Sequence, residues 1–261
     1  MREPHRALLL DTIREAGALA RHYFEAGAKA WSKAKGDPIT EADVAVDNLI
    51  CARIAAARPG DGWLSEESRD DPARLARKRV WIVDPIDGTL AFIKKRPHFT
   101  VSIALVEAGT PVLGAVFNPM LGELFEAEAG GGARLGGVPI KVSSQPVIEG
   151  CRMLGPRDVF THPIWPEPWP AMQIENRNSI AYRLALVAAG QFDAMMALTK
   201  KREWDVAAGD LILREAGGLI TTHKGEILRY NQPDPIVPSL VGAGTALHAE
   251  IMGKVGQIRL E

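Results

Sequence analysis

Leu9, Ile13, Ala16, Ala20, Tyr23 and Phe24 recur at steps of three and four, with Arg14, Glu15 and Arg21 between them. This spacing predicts an amphipathic helix over residues 4–26, ended by Gly27. Residues 31–40 hold Gly36, Asp37 and Pro38 and read as a polar loop. Thr40-Glu41-Ala42-Asp43 has capping-box spacing with Asp at the third position, so a second helix starts near residue 41. Val46, Leu49, Ile50 and Ile54 carry it to about Arg58, where Pro59-Gly60-Asp61-Gly62 breaks it.

Short apolar runs follow. Trp63-Leu64-Ser65 predicts a strand ending at Glu66-Glu67, and residues 70–79 read as a short charged helix. Val80 to Val83 is a buried strand that stops at Asp84. Residues 99–107 and 112–117 form a hairpin around Ala108-Gly109-Thr110-Pro111, and residues 123–129 add a third strand. A glycine cluster at 130–137 leads into a strand over 138–142.

The second half reads differently. Residues 144–178 are proline-rich and predict loops and short strands. Asn178-Ser179 caps a helix through Ala189, and Trp204 to Ala216 is another, closed by Gly217-Gly218. Strands are expected at 192–198 and 239–243, with a hairpin of 219–222 and 226–229 around Lys224-Gly225. A last helix starts near Ala246.

The chain has 261 residues, 31 basic and 32 acidic, for a net charge of −1. At ~150 residues per domain this is one large unit or two fused halves. The expected boundary separates an N-terminal α+β half, residues 1–145, from a C-terminal α/β half, residues 146–261. The charge balance excludes a nucleic-acid polymer held on a large basic surface. Cys51 and Cys151 make neither a disulfide framework nor a Cys-rich zinc site. No apolar run suits a signal peptide or the ~20 residues of a membrane span, so a cytoplasmic protein is expected.

Candidate chemistry lies where elements end. Ser65-Glu66-Glu67-Ser68, Asp84-Pro85-Ile86-Asp87-Gly88-Thr89 and Glu203-Trp204-Asp205 place carboxylates there, and Asp43 adds one on a first helical turn. Singly, each has a plainer reading as solvated surface or turn. The Asp84 segment carries more weight. A strand runs into Asp84, Pro85 bends the chain, and the turn aims Asp84 and Asp87 at one point. Gly88 permits close backbone approach, and Thr89 offers an N–H and a hydroxyl. Hard carboxylate oxygens beside an anion cradle suit Mg²⁺ plus phosphate. Two divalent ions ~3.5–4 Å apart can clamp a phosphoryl displacement. The competing reading is a strand-turn-helix with Asp84 as a cap.

The Asp84-to-Thr89 segment resembles the signature of the inositol monophosphatase superfamily of Mg²⁺-dependent, lithium-sensitive phosphatases. Pro38-Ile39-Thr40-Glu41-Ala42-Asp43, Ser65-Glu66-Glu67-Ser68 and Trp204-Asp205-Val206-Ala207-Ala208-Gly209 are similar to its other blocks, in the same order, and Glu215-Ala216-Gly217-Gly218 also matches. The likeness spans about residues 5–255. It implies a layered α/β (α+β) fold, an αβαβα sandwich, with two to three Mg²⁺ ions per site. By the resemblance, Glu66, Asp84 and the Ile86 carbonyl bind one ion, Asp84, Asp87 and Asp205 a second, and Glu66 helps hold a third. Asp43 and Thr89 polarise the attacking water, with Glu66 also counted as catalytic, and the N–H groups of Gly88 and Thr89 hold the phosphate.

Two departures bear on substrate. Leu90-Ala91-Phe92-Ile93-Lys94 stands where inositol enzymes have an Asn-Phe pair, and with residues 99–105 it looks like the CysQ-type 3′(2′),5′-bisphosphate nucleotidases. Leu198 stands where inositol enzymes have a Glu, and Lys200, Lys201 and Arg202 follow. These four are candidate specificity residues, since a basic run can hold a second phosphate; an exposed charged loop is the alternative. Lys94, Lys95 and Arg96 form a second basic run, expected at the surface. Lys33 and Lys35 both fit the family's lysine. Trp165 and Trp169 can stack on a base, though packing is the plainer role, and His98 and His162 read as a chance pair.

The leading expectation is hydrolysis of the 3′-phosphate of adenosine 3′,5′-bisphosphate, giving AMP. Alternatives are inositol 1-phosphate, or another small ester such as histidinol phosphate or fructose 1,6-bisphosphate. A non-catalytic module would have lost a metal ligand, and none is lost here. The partner is a small phosphorylated substrate, and the chain is a monomer or homodimer.

Overall fold

Along β4 (Arg79–Asp87), Val80 and Ile82 join one core while Trp81 and Val83 join another. Alternate side chains of a strand point to opposite faces, so this strand is buried on both sides. The same division runs along β5 (Thr100–Glu107), where Ile103 and Leu105 oppose Ala104 and Val106. Strand β12 (Ala194–Ala197) divides likewise, with Met195 and Ala197 on one face and Ala194 and Met196 on the other. Three stacked cores between alternating sheets and helices follow from this pattern.

The computed structural model describes residues 3–34 and 37–258. In chain order the N-terminal elements are α1 (Glu3–Ala26), β1 (Ala30–Ala34), β2 (Asp37–Thr40), α2 (Glu41–Ala57), β3 (Gly62–Ser65), β4, α3 (Thr89–Ile93), β5 (Thr100–Glu107), β6 (Thr110–Asn118), β7 (Glu123–Glu128), β8 (Gly132–Leu135) and β9 (Val138–Pro139). Then come β10 (Arg152–Leu154), α4 (Arg157–Thr161), β11 (Gln173–Glu175), α5 (Ile180–Ala188), β12 (Ala194–Ala197), β13 (Lys201–Arg202), α6 (Glu203–Glu215), β14 (Gly218–Thr221), β15 (Ile236–Val237), β16 (Leu240–Gly244) and α7 (Thr245–Val255).

Strands β3 to β9 form a seven-stranded sheet in sequence order. Helices α1 and α2 cover one face through Leu9, Ile13, Val46 and Ile50. Helices α5 and α6 cover the other through Leu184, Val206 and Leu211, and also meet the five-stranded sheet β11-β10-β12-β16-β14. Helices α4 and α7 close the outside of that sheet through Phe160, Leu247 and Ile251. The result is the expected five-layer αβαβα sandwich. Helix α6 approaches β6 closely, and a Cβ on Gly114 would lie 3.0 Å from the Ala208 carbonyl oxygen. No helix of the described residues is long and apolar enough to cross a membrane.

Several local expectations are corrected. Residues 30–34 and 37–40 form an antiparallel pair, with Trp31 opposite Ile39, rather than a loop. The charged helix at 70–79 is a 3-10 turn, Pro72–Ala76. Strand β4 does not stop at Asp84 but reaches Asp87, with its register against β5 shifting between them. The strand over 138–142 is only the two-residue β9. No strand forms at 226–229; the Thr222 N–H donates to the Glu226 carbonyl at 3.0 Å, but β14 takes its ladder from β16 instead.

Candidate active site

The capping box fixes the first carboxylate. Thr40 caps α2 by accepting from the N–H groups of Ala42 and Asp43 at 3.2 and 3.4 Å. Asp43 reaches back to accept from the Thr40 N–H at 2.8 Å and from the Thr40 hydroxyl. This leaves Asp43 Oδ1 facing Thr89, whose hydroxyl donates to it at 3.0 Å. The same hydroxyl lies 3.1 Å from the Ile86 carbonyl oxygen, so one proton is shared between two acceptors.

The register shift after Asp84 builds the next part. The Ile86 N–H donates to Asp84 Oδ1 at 3.0 Å, folding the side chain over its own turn. Asp87 accepts from the Ser179 hydroxyl and the Ala181 N–H, both at 2.6 Å, which ties the end of β4 to the start of α5. Gly88 has φ +99°, and a Cβ there would lie 3.1 Å from the His98 carbonyl oxygen and the Ser179 nitrogen. Only glycine suits both the backbone and the space. Asp205, on the first turn of α6, accepts from the Arg202 N–H at 2.9 Å.

Glu66, Asp84 and Asp205 come together. Each offers one carboxylate oxygen, and the three oxygens lie within 4.8 Å of one another. Burial raises the pKa of all three, and their mutual repulsion adds to it. Glu66 is pushed up to about 8, although Lys33 opposes the shift. Asp205 is pushed up to about 7, with Asp87 as the next cause, and Asp84 also lies well above its usual range. Burial takes Asp87 to about 6 against the pull of its hydrogen bonds from Ser179 and Ala181. Burial likewise raises Asp43. Carboxylates that are buried (Asp84) or half-buried (Glu66 and Asp205) and offer only hard oxygen donors fit a Mg²⁺-like cation. Asp87 borders the same cleft but stands outside the tight trio.

The trio opens into a cleft of ≈570 Å³ that Gly88, Thr89, Leu198, Lys200 and Lys201 also line. Arg202 does not line it; it pairs with Asp234 at 3.7 Å and lies over the Trp204 ring. Lys33 bridges Glu66 at 3.5 Å and Glu67 at 2.5 Å, while Lys35 lies outside the described residues. Lys95 binds the Phe24 carbonyl instead. Trp165 and Trp169 pack edge-to-face at 5.0 Å and line a separate pocket of ≈470 Å³. From the proline-rich segment, Pro156 and Val159 reach the carboxylate cleft. His98 and His162 belong to no metal-competent group of the described residues.

Arg183 is a cleft residue that no sequence motif singles out. It lies on α5, 6 % exposed, and lines the cleft. Its Nε donates to the Arg177 carbonyl at 2.6 Å and its Nη2 to Asn176 Oδ1 at 2.7 Å. No carboxylate of the described residues pairs with it, and burial lowers its pKa to about 10 despite Asp87 nearby. It therefore remains cationic near neutral pH. Lys201 is a second cleft cation whose pKa burial lowers; it donates to the Thr199 hydroxyl at 2.7 Å. A lone arginine inside Ile180-Ala181-Tyr182-Arg183-Leu184-Ala185-Leu186 was the signal available.

The model described as the inositol monophosphatase family matches residues 1–259. An inositol-1-monophosphatase of Mesorhizobium japonicum is 36% identical over 228 residues, covering 84% of this chain and 85% of that protein. A histidinol-phosphatase of Chlorobaculum parvum is 34% identical and covers 97% of both. Among solved structures, a Thermotoga maritima IMPase superposes with a TM-score of 0.81 at 28% identity, covering 98% of each chain.

Proposed function

The chain belongs to the inositol monophosphatase family, and on that premise we propose that it hydrolyses a small phosphomonoester carrying a second anionic group, with adenosine 3′,5′-bisphosphate as the leading substrate. That it is a phosphatase of this family follows from its relatives. The choice of substrate rests on one observation: Arg183, a buried cation that forms no direct ion pair with a carboxylate among the described residues and feels only Asp87 at longer range, lines the cleft beside Lys201. An unpaired buried charge is costly, and a ligand anion offsets that cost.

Glu66, Asp84, Asp87, Asp205 and the Ile86 carbonyl are the groups that would hold Mg²⁺. When bound, Mg²⁺ supplies a water of lowered pKa and neutralises charge on the phosphate and the leaving oxygen. Asp43, held by its capping box, accepts the Thr89 proton and so orients the Thr89 oxygen to take a proton from the attacking water. The N–H groups of Gly88 and Thr89 receive the phosphate oxygens. Arg183 and Lys201 receive the second anion, and Leu198 packs beside the leaving group.

The test compares turnover of adenosine 3′,5′-bisphosphate, inositol 1-phosphate and histidinol phosphate at saturating Mg²⁺. The bisphosphate is expected to give the highest kcat/KM. Equal or faster turnover of inositol 1-phosphate, as the name of the M. japonicum relative suggests, sinks the substrate assignment and leaves the phosphatase reading standing.

A further inference from the structure

We propose that Asp47 is a positioning residue for Glu66, holding the Glu66-Glu67 turn so that the Glu66 carboxylate faces the cleft. This rests on reading Glu66 as a metal-binding carboxylate. Asp43 and Asp47 are one helical turn apart on α2, and both are buried, at 1 % and 4 % exposure. Residues four apart share a helix face, so α2 serves two parts of the site. Asp43 takes the Thr89 hydroxyl. Asp47 takes two hydroxyls, Ser65 on Oδ1 and Ser68 on Oδ2, each at 2.5 Å.

Those serines flank Glu66-Glu67 on either side, so one carboxylate grips both ends of the turn. The Glu66 N–H donates to the Val83 carbonyl at 3.3 Å and holds the middle against β4. Ser65 Oγ also accepts from the Glu67 N–H at 3.4 Å. A serine hydroxyl has one proton. With both protons committed to Asp47, neither serine can draw the Glu66 carboxylate back into the turn. An amide has one acceptor oxygen, so in Asp47→Asn one of the two serines accepts from the amide NH2 instead and its own proton is freed to reach the Glu66 carboxylate. Groups that orient a ligand from behind typically change metal affinity by about 10–100-fold when removed.

The experiment measures Mg²⁺ binding calorimetrically, without substrate, for the wild type, Asp47→Asn, Ser68→Ala and Glu66→Gln. Mg²⁺ titrations of turnover and melting curves accompany it. We expect Asp47→Asn and Ser68→Ala to bind Mg²⁺ about 10-fold more weakly and to regain most of their kcat when Mg²⁺ is raised. If Glu66→Gln binds Mg²⁺ like the wild type, the metal reading of Glu66 itself fails. If Glu66→Gln weakens binding while the other two do not, Asp47 serves only folding and the inference is overturned. Should Asp47→Asn fail to fold, Ser68→Ala decides, because Ser68 is only half-buried.

Discussion

The Thr89 hydroxyl donates to Asp43 Oδ1 across 3.0 Å, joining the first turn of α3 to the first turn of α2. Thr89→Val keeps the shape and removes this proton path. It should lower kcat by about 10²–10³-fold, in the range of general acid–base effects, with little change in KM. Thr89→Ser should restore much of the rate. Steady-state kinetics on the three proteins test this, and an unchanged kcat for the valine variant would rule out the water-orienting role.

Asp84 is buried among Glu66, Asp87 and Asp205, all of which raise its pKa. Asp84→Asn replaces a carboxyl that the metal-free site holds above its usual pKa, by burial and by neighbouring carboxylates, with a permanently neutral amide. Turnover should be lost at any Mg²⁺ concentration, while the metal-free protein should melt at a higher temperature than wild type. Retained turnover would remove Asp84 from the proposed metal set.

The raised carboxylate pKa values set a pH dependence. Without metal, the folded state holds protons that the unfolded chain has already released above its own carboxylate pKa, near 4.5 for Glu66. Stability should therefore fall as pH rises from about 4.5 through the folded values of about 6, 7 and 8 for Asp87, Asp205 and Glu66. Mg²⁺ binding should expel these protons, so its apparent affinity should increase from pH 6 to pH 8. Thermal melts across that range, with and without Mg²⁺, give both slopes. A metal-free stability that climbs with pH would contradict the electrostatic description.

Arg183→Met should leave hydrolysis of a plain monophosphate nearly intact but raise KM for adenosine 3′,5′-bisphosphate. A lost charged hydrogen bond of about 1.5–3 kcal/mol corresponds to roughly 10–100-fold. Lys201→Met should act in the same direction and does not depend on the Asn176 and Arg177 contacts. Equal effects on both substrate types would argue against a second-anion subsite.

Lithium should inhibit by competing for a Mg²⁺ position. Inhibition that weakens as Mg²⁺ rises is the expected pattern, and no inhibition at roughly tens of millimolar would count against this chemistry.

The parts of the fold visible in the sequence are those whose pattern is local. The stripe of Leu9, Ile13, Ala16 and Ala20 specifies α1, and the run at 80–83 specifies the centre of β4. What escaped depends on distant partners. Strand β10 is three residues long and exists because β11 and β12 pair with it. At 226–229 the local turn forms, but Ile227 is 79 % exposed and no strand of the described residues pairs with this segment. The site divides in the same way. Asp43, Glu66, Asp84, Asp87 and Asp205 sit in compact motifs, whereas Arg183 and Asp47 gain meaning only from packing. Arg202 belongs to a legible basic run, yet its backbone direction at the start of α6 sends it to Asp234 and Trp204.

The position of α6 between the two sheets has a further consequence. Asp205 rides on the most enclosed layer of the sandwich, with Gly114 admitting Ala208 backbone-to-backbone. Arg183 and Lys201 stand on the start of α5 and the short stretch before α6. The cleft thus has a floor set by the deep architecture and a wall set by a few side chains. Under the proposed roles, exchanges on the wall would redirect the chain to a different ester while the floor continued the same hydrolysis. Substrate range would then drift in small steps, each leaving a working phosphatase behind it.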